Sequence, residues 1–397
     1  MTIEHFDVVV VGAGLSGIGA GYHLKVRCPG RSYVIFEARE RIGGTWDLFR
    51  YPGVRSDSDM YTLGYSFRPW EDAKAIADGP SILKYVQDTA AEHGIDRKIR
   101  FGHRVRRASW STQEARWTVE IDRGDADRVL RVSCEFLLAC GGYYTYAEGY
   151  TPAFPGVQRF AGRIVHPQKW TDDIDYIGKR VVVIGSGATA VTLVPELAKQ
   201  AAHVTMLQRS PTYVVARPSE DHAANRLRRY LPSMLAYRIT RWKRVLLGLY
   251  LQVLSGLQIT VDGERVDPAK TLTYKGMMYS GVPNLASAFG YTNASWTLKC
   301  DLTFEYICRL LNYMQRRGLR QCTPRNSDPT VTEQPWVDFS SGYLQRSLHL
   351  FPKQGSRAPW KLHQNYARDI LLFRFGRLED GVMEFSRPLS SPVPVRA

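Results

Sequence analysis

Residues 6–17 read Phe6-Asp7-Val8-Val9-Val10-Val11-Gly12-Ala13-Gly14-Leu15-Ser16-Gly17, an apolar run with a single charge that leads into three spaced glycines. Such a run ahead of a Gly-rich turn predicts a buried parallel strand followed by a helix. Gly12 permits the tight turn, Gly14 lets a pyrophosphate approach the backbone, and Gly17 lets the helix pack closely on the strand. The phosphates then lie on the free N–H groups at the helix start. Twenty-five residues after Gly12, Glu37 closes a second apolar strand, Tyr33-Val34-Ile35-Phe36, where a carboxylate accepts hydrogen bonds from an adenosine ribose. An acidic residue there disfavours a 2′-phosphate, so the first site is expected to take FAD or NAD. Glycines also occur in ordinary strand-to-helix turns; the carboxylate at this distance is what turns the pattern into a dinucleotide site.

Outward from this stretch, the chain has 397 residues, 44% of them apolar and 12% aromatic, enough for the cores of two or three domains. Met1 to His5 is polar and the first apolar run is already a strand, so no signal peptide is expected. No stretch of eighteen uncharged apolar residues occurs, which argues against a spanning helix. Cys28, Cys134, Cys140, Cys300, Cys308 and Cys322 form no CxxC pair and no metal spacing with histidine, so reduced thiols in the cytoplasm and no metal site are expected. A net charge of +15 admits nucleic acid, an anionic membrane surface or acidic ligands, and no motif for the first is present.

After Glu37, Arg41-Ile42-Gly43-Gly44-Thr45-Trp46-Asp47 and Arg50-Tyr51-Pro52-Gly53-Val54-Arg55-Ser56-Asp57 make a long irregular loop. Loops of this length usually serve function, although alternating Arg and Asp can also simply pair with one another. Ile82, Tyr85, Val86 and Thr89 are spaced for a helix over 79–93, and Ile99 to Trp110, Trp117 to Ile121 and Val129 to Ala139 read as strands. Beyond the linker Phe154-Pro155-Gly156, Val181 to Ile184 enters Gly185-Ser186-Gly187-Ala188-Thr189-Ala190-Val191, a second strand, turn and helix start with Ala190 in place of the third glycine. Its partner strand, His203 to Leu207, ends in Gln208-Arg209-Ser210, where Arg209 suits the 2′-phosphate of NADPH. Two such units predict an α/β fold with two Rossmann-like dinucleotide-binding domains, each a parallel sheet in three layers.

Asn225 to Leu254 carries Arg226, Arg228, Arg229, Arg238, Arg241, Lys243 and Arg244 and no acidic residue, with Leu235, Ile239, Trp242, Leu246 and Leu249 at helical spacing. Two readings stand: a helix lying peripherally on an anionic membrane, or one packed on the protein with a solvated basic face. Leu257 to Val266 reads as a hairpin turning at Asp262-Gly263. Tyr274 to Met278 and Val282 to Gly290 follow, and Thr303 to Arg317 is expected as a helix with Tyr306, Ile307, Leu310, Leu311 and Met314 on its apolar face. Pro388 to Ala397 is a Pro- and Ser-rich tail that is expected to fray.

Between the two nucleotide units, Phe160, Gly162, His166 and Trp170 fit FxGxxxHxxxW, and this stretch resembles the fingerprint of FAD-containing Baeyer–Villiger monooxygenases, class B flavoproteins. Thr171 before Asp172 is a mild departure from it. GGTWDLFRYPGVRSDSDMYTLG, VVVIGSGATAVTLVPEL, VTMLQRSPTY, YKGMM, GYTNASWTLK and PKQGSR resemble the ethionamide-activating subgroup, over nearly the whole chain. The resemblance implies that Gly12, Gly14, Ser16, Gly17 and Glu37 hold the FAD adenosine and pyrophosphate. Thr45, Trp46, Asp47 and Leu48 would form the flavin-side loop, Asp57 the acidic residue next to the flavin, and Val105 a backbone contact to adenine. Gly185, Ser186, Gly187, Ala188, Thr189, Ala190 and Val191, with Gln208 and Arg209, would hold NADPH, and Arg55 and Ser56 would lie on the nicotinamide side. His166 would be a hinge and positioning residue. The implied reaction, by way of a flavin peroxide, puts one oxygen atom of O2 into a small hydrophobic ketone, giving an ester, or onto the sulfur of a thiocarbonyl, with water kept out.

The chain departs from this family in one respect. Between Tyr250 and Gly256 the family carries roughly a hundred further residues, about a small domain, including the last strands of the NADPH domain and an arginine that pairs with the counterpart of Asp57. Without that arginine a loss of about 3 kcal/mol of transition-state stabilisation is expected. The expected organisation is a first part of the FAD-binding domain over 1–150, a truncated NADPH-binding domain over 151–222, a basic helical remnant over 223–255 and the remainder of the FAD-binding domain over 256–397. A sheet edge should be left exposed in the second domain. The gap also leaves two other readings open: a shortened relative that only oxidises NADPH, or a non-catalytic protein of membrane surfaces or partners. A cytoplasmic location is expected, with the basic segment at the inner face of the membrane as its extension.

Overall fold

In the computed structural model, which describes residues 3–123, 129–142, 144–149, 151–208, 218–245, 258–291, 295–336 and 351–387, the run ahead of Gly12 is strand β1 (Glu4–Val11). It pairs in parallel with β2 (Tyr33–Phe36) on one side and with β6 (Leu130–Ala139) on the other, so that Val11 faces Phe36 and Ala139. A strand with neighbours on both edges and covered faces needs an unbroken apolar run, and Val8, Val9 and Val10 are wholly buried. Helix α1 (Leu15–Arg27) crosses from β1 to β2, and β3 (Ile99–Arg100) extends the parallel set.

From β6 the sheet turns antiparallel through β5 (Arg116–Arg123) to β4 (His103–Ser111), which then takes β9 (Gln258–Val261) in parallel and, beyond it, β10 (Glu264–Val266). The last residues of β6 pair instead with β13 (Leu285–Ser287), Leu285 opposite Leu137. Trp110, Trp117, Val119 and Ile121 pack with Val9, Val34, Leu137 and Leu285 into the core of this sheet. The expected strand over 99–110 is divided at Gly102, whose φ of +65° makes a turn. The hairpin turns at Asp262 and Gly263, both at positive φ, as its sequence implies.

Helix α8 (Trp296–Arg317) packs along α1: His23 Nε2 lies 3.3 Å from Asp301 Oδ1, and Arg27 donates to Glu305 at 2.8 Å. Glu305 also accepts from Arg374 of α9 (Tyr366–Phe375). Three two-stranded pieces complete this first unit of 1–41, 90–143 and 248–397: β11 (Thr273–Tyr274) with β12 (Met278–Tyr279), β14 (Gln321–Pro324) with β17 (Met383–Ser386), and β15 (Glu333–Pro335) with β16 (Lys353–Gly355).

The second unit comprises 42–89 and 144–247. Its sheet is the parallel pair β7 (Arg180–Ile184) and β8 (His203–Leu207), joined through α5 (Ala188–Leu197), with Ile184 opposite Leu207. Among the described residues this sheet stops at two strands. Val181, Val183 and Val204 face a small core with Leu193, Leu197 and Tyr51, while Val182, Ile184 and Leu207 on the opposite face are each more than half exposed. Among the described residues the second sheet thus has two strands, and one of its faces carries exposed apolar side chains.

Short helices α2 (Thr45–Leu48) and α3 (Met60–Leu63) precede α4 (Gly79–Glu92), whose last three residues count with the first unit. The basic segment forms α6 (His222–Tyr230) and α7 (Ser233–Val245). Ala236, Tyr237, Thr240 and Arg241 of α7 are buried. Arg241 Nη1 caps α3 by donating to the carbonyls of Tyr61 at 2.9 Å and Gly64 at 2.6 Å. That face of α7 is therefore packed on protein; Leu246 and Leu249 lie outside the described residues. No described helix is long and apolar enough to cross a membrane.

Candidate functional site

The first glycine turn is packed tightly against the ends of β2 and β6. Gly12 has φ +101° and donates its N–H to Phe36 O at 2.7 Å, and a Cβ built there would fall 2.7 Å from Cys140 O at the end of β6. Gly17 lies so close that its Cβ would meet Gly12 O at 1.8 Å. Gly14 is the extended residue that opens α1, and no side chain caps that helix start.

Glu37 stands at the end of β2 with 2% exposure. Its Oε2 accepts the N–H of Ala13 at 2.7 Å and its Oε1 that of Arg39 at 2.9 Å. Burial pushes its carboxyl above the ordinary range, against the pull of those backbone N–H groups. A carboxylate offers about four lone-pair sites, so a ribose diol can still be bound beside the turn. Val105 lies in β4, opposite Ile121, next to a register shift that frees the regular ladder before Arg107. Glycines whose missing Cβ atoms leave room for backbone, a helix start that no side chain caps and a buried acceptor together fit a pyrophosphate-linked adenine dinucleotide.

Ser16 has a partner that the sequence does not disclose. Its Oγ accepts from Trp296 Nε1 at 2.8 Å and sits 3.6 Å from Cys300 Sγ. With the indole as donor, the Ser16 hydroxyl hydrogen is left to give to the thiol or to a phosphate. Trp296 was legible only as part of a motif, because its contact spans 280 residues.

In the second unit, Gly43 (φ +130°) and Gly44 (φ +57°) lead into α2. Thr45, Trp46 and Leu48 are half-buried, and Asp47, 2% exposed, takes Arg50 Nη2 at 3.0 Å. The Arg–Asp pairing that competes with a functional reading of this loop is therefore real at Asp47. Farther on, Gly53 (φ +78°) fits where a Cβ would fall 2.7 Å from Thr192 O, so the Pro52–Gly53 turn rests on α5. Ser56 donates its N–H to Ala77 O and its hydroxyl to Ser58 O at 2.7 Å. Arg55 and Asp57 are exposed at the surface of the loop, yet surrounding protein raises the Asp57 carboxyl, with Arg55 opposing that rise.

The second glycine turn repeats the first without its enclosure. Gly185 has φ +124° and donates to Leu207 O at 2.8 Å, and Gly187 is the extended residue ahead of α5, with Ser186 between them. Yet a Cβ on Gly185 or Gly187 would meet nothing within 4 Å, because no third described strand lies where β6 lies for Gly12. Ala188, Thr189, Ala190 and Val191 form the first turn of α5, Ala190 buried; Gln208 is exposed and Arg209 lies outside the described residues. His166 caps the single turn 167–169, its Nδ1 accepting from Gln168 N at 3.2 Å, and its ring covers Gly149. Within the same stretch Phe160 folds over Gly162, and Trp170 meets Tyr176 edge-on.

Comparison with known proteins follows the same lines. The profile of the Flavin-binding monooxygenase-like family matches residues 6–245. The FAD-containing monooxygenase EthA of Mycobacterium tuberculosis strain H37Rv is 46% identical over 99% of both chains, and the probable FAD-binding monooxygenase AlmA of Acinetobacter baylyi 37% over 97% of both. The EthA alignment runs over 490 positions against 397 residues here, so roughly ninety positions face nothing in this chain, about a small domain. An oxidized steroid monooxygenase bound to NADP shares the fold at TM-score 0.62 and 23% identity, covering 81% of this chain and 88% of its own. A cyclohexanone monooxygenase from Rhodococcus sp. Phi1 does so at TM-score 0.62 and 18% identity, covering 81% and 87%.

Proposed function

Because the chain belongs to the flavin-binding monooxygenase-like family, we propose that it is an FAD- and NADPH-dependent monooxygenase of the Baeyer–Villiger type. Its substrates would be small hydrophobic ketones or thiocarbonyls. For a ketone the balance is ketone, O2, NADPH and a proton giving ester, NADP+ and water. The observation that carries the reading is the buried carboxylate of Glu37, held against the turn from Gly12 to Gly17.

FAD, when bound, supplies the electron transfer and the oxygen chemistry, and the protein supplies binding, orientation and exclusion of water. On this chain the backbone at the start of α1, with the Ser16 hydroxyl, would hold the pyrophosphate, and Glu37 would accept from the ribose. Val105 would offer its backbone to the adenine, and Thr45 to Leu48 would serve the flavin ring. Gly185 to Val191 would hold the NADPH phosphates, Gln208 and Arg209 would select the 2′-phosphate, and Arg55 and Ser56 would serve the nicotinamide side. At Asp57 the raised carboxyl keeps its proton to higher pH than a surface aspartate, which suits acid–base work there. His166 positions its linker turn. Six buried, unpaired thiols fit a reducing cytoplasm.

The test is a flavin spectrum of the purified protein, followed by NADPH consumption measured against ester or sulfoxide formed. Equal amounts of NADPH lost and product gained support the proposal. Reconstitution with excess FAD that leaves no bound flavin, or NADPH loss matched only by hydrogen peroxide, overturns it.

A further inference from the structure

Burial of Ala236, Tyr237, Thr240 and Arg241 leaves the neighbouring face of α7 outward. Leu235, Ile239 and Trp242 stand there at i, i+4 and i+7, 47%, 43% and 50% exposed, with Tyr230 at the end of α6 80% exposed. Arg238 is exposed beside this stripe, and Arg226 and Arg229 are exposed on α6. No acidic residue occurs from His222 to Val245, and Asp221, just before it, is buried as the cap of α6, accepting from Ala224 N at 3.1 Å. An apolar stripe of large side chains interleaved with arginines, on a protein of net charge +15, has the chemistry of a helix lying in a membrane interface.

We propose that the outer face of α6 and α7 docks this protein on an anionic lipid bilayer, Leu235, Ile239 and Trp242 entering the headgroup boundary and Arg226, Arg229 and Arg238 meeting lipid phosphates. Charge selects this occupant over a second copy of the chain. A two-fold contact would set the same arginines against themselves, whereas a leaflet of acidic lipids attracts each of them, about fivefold in binding per arginine. The stripe itself argues against nucleic acid, since a phosphate backbone rewards the cations and gives Leu235 and Ile239 nothing.

The experiment is co-sedimentation of the full chain with vesicles of phosphatidylcholine alone and of phosphatidylcholine mixed with phosphatidylglycerol, at low and high sodium chloride. Two variants accompany it, Leu235→Ser/Ile239→Ser/Trp242→Ser and Arg226→Gln/Arg229→Gln/Arg238→Gln, each checked for native circular dichroism. Because all six positions are exposed, the charge variant tests the idea even where the apolar variant misfolds. Binding confined to the acidic vesicles, weakened about tenfold or more by salt and by either variant, is the expected result. Three outcomes overturn the proposal: equal binding to neutral vesicles, no sedimentation with dimers forming instead, or binding to duplex DNA as tight as to acidic vesicles and indifferent to the apolar variant.

Discussion

Gly17 packs against Gly12 with no room for a methyl group: a Cβ at position 17 would fall 1.8 Å from the carbonyl oxygen of Gly12. Neither partner can yield, since the oxygen belongs to a backbone turn locked by the Gly12 N–H to Phe36 O bond at 2.7 Å. Gly17→Ala should therefore cost about 3 kcal/mol of stability, the upper end for a clash in a packed interior, and should release bound flavin. Gly30→Ala, where a Cβ meets nothing within 4 Å, should stay within about 0.5 kcal/mol. Urea unfolding of both, with flavin retention on gel filtration, checks the contrast.

Glu37→Gln keeps the shape but removes the charge from an acceptor of two backbone N–H groups. Hydrogen bonds to charged groups are worth about 1.5–3 kcal/mol, so FAD affinity should fall about ten- to a hundredfold, read by fluorescence titration of the apoprotein. Since burial raises this carboxyl, protonation begins at higher pH than the ordinary 4.5. Affinity of the unaltered protein should accordingly weaken as pH drops, starting above that value, whereas the glutamine variant should show no such onset.

Lys299 and Asp369 form a buried ion pair at 2.5 Å, with Tyr291 donating to the same Asp369 oxygen at 2.8 Å. Desolvation lowers the Lys299 ammonium against the attraction of Asp369. Asp369→Ala, which strands the ammonium, should lose about 3–5 kcal/mol in urea unfolding, and replacing both members by Met and Leu should restore most of it. A double variant no better than the single one would contradict this.

Burial raises Tyr33 and Tyr279 to about 12. Raised phenols stabilise the fold fully below the unfolded value of about 10 and lose that contribution as pH climbs through 12, on the order of 2–3 kcal/mol each. Phenolate absorbance followed with circular dichroism should show a first group of tyrosines ionising with structure intact and a second group only as structure is lost.

What the sequence revealed was local. The Gly12 to Gly17 turn, the Asp262–Gly263 hairpin and strand β8 at His203–Leu207 each depend on a few adjacent residues, and each stands where its pattern implies. Helix α8 begins seven residues earlier than Thr303, because its first two turns bury Lys299 and Asp301 through Asp369 and His23, partners that periodicity counts as solvent-facing. Likewise, parallel pairing of β9 with β4 joins residues about 150 apart, and the Trp296 to Ser16 bond joins residues 280 apart; no local pattern encodes either. The basic segment follows its packed reading, one face held on protein through Arg241 and the other left to solvent.

The seating of β13 beside the end of β6, and of α8 along α1, has a consequence for biosynthesis. A ribosome has to deliver residue 285 before the nascent sheet gains its final parallel neighbour, and residue 317 before the first helix is fully backed. More than half of the polypeptide thus emerges before β6 gains β13 and before α8 lies along α1.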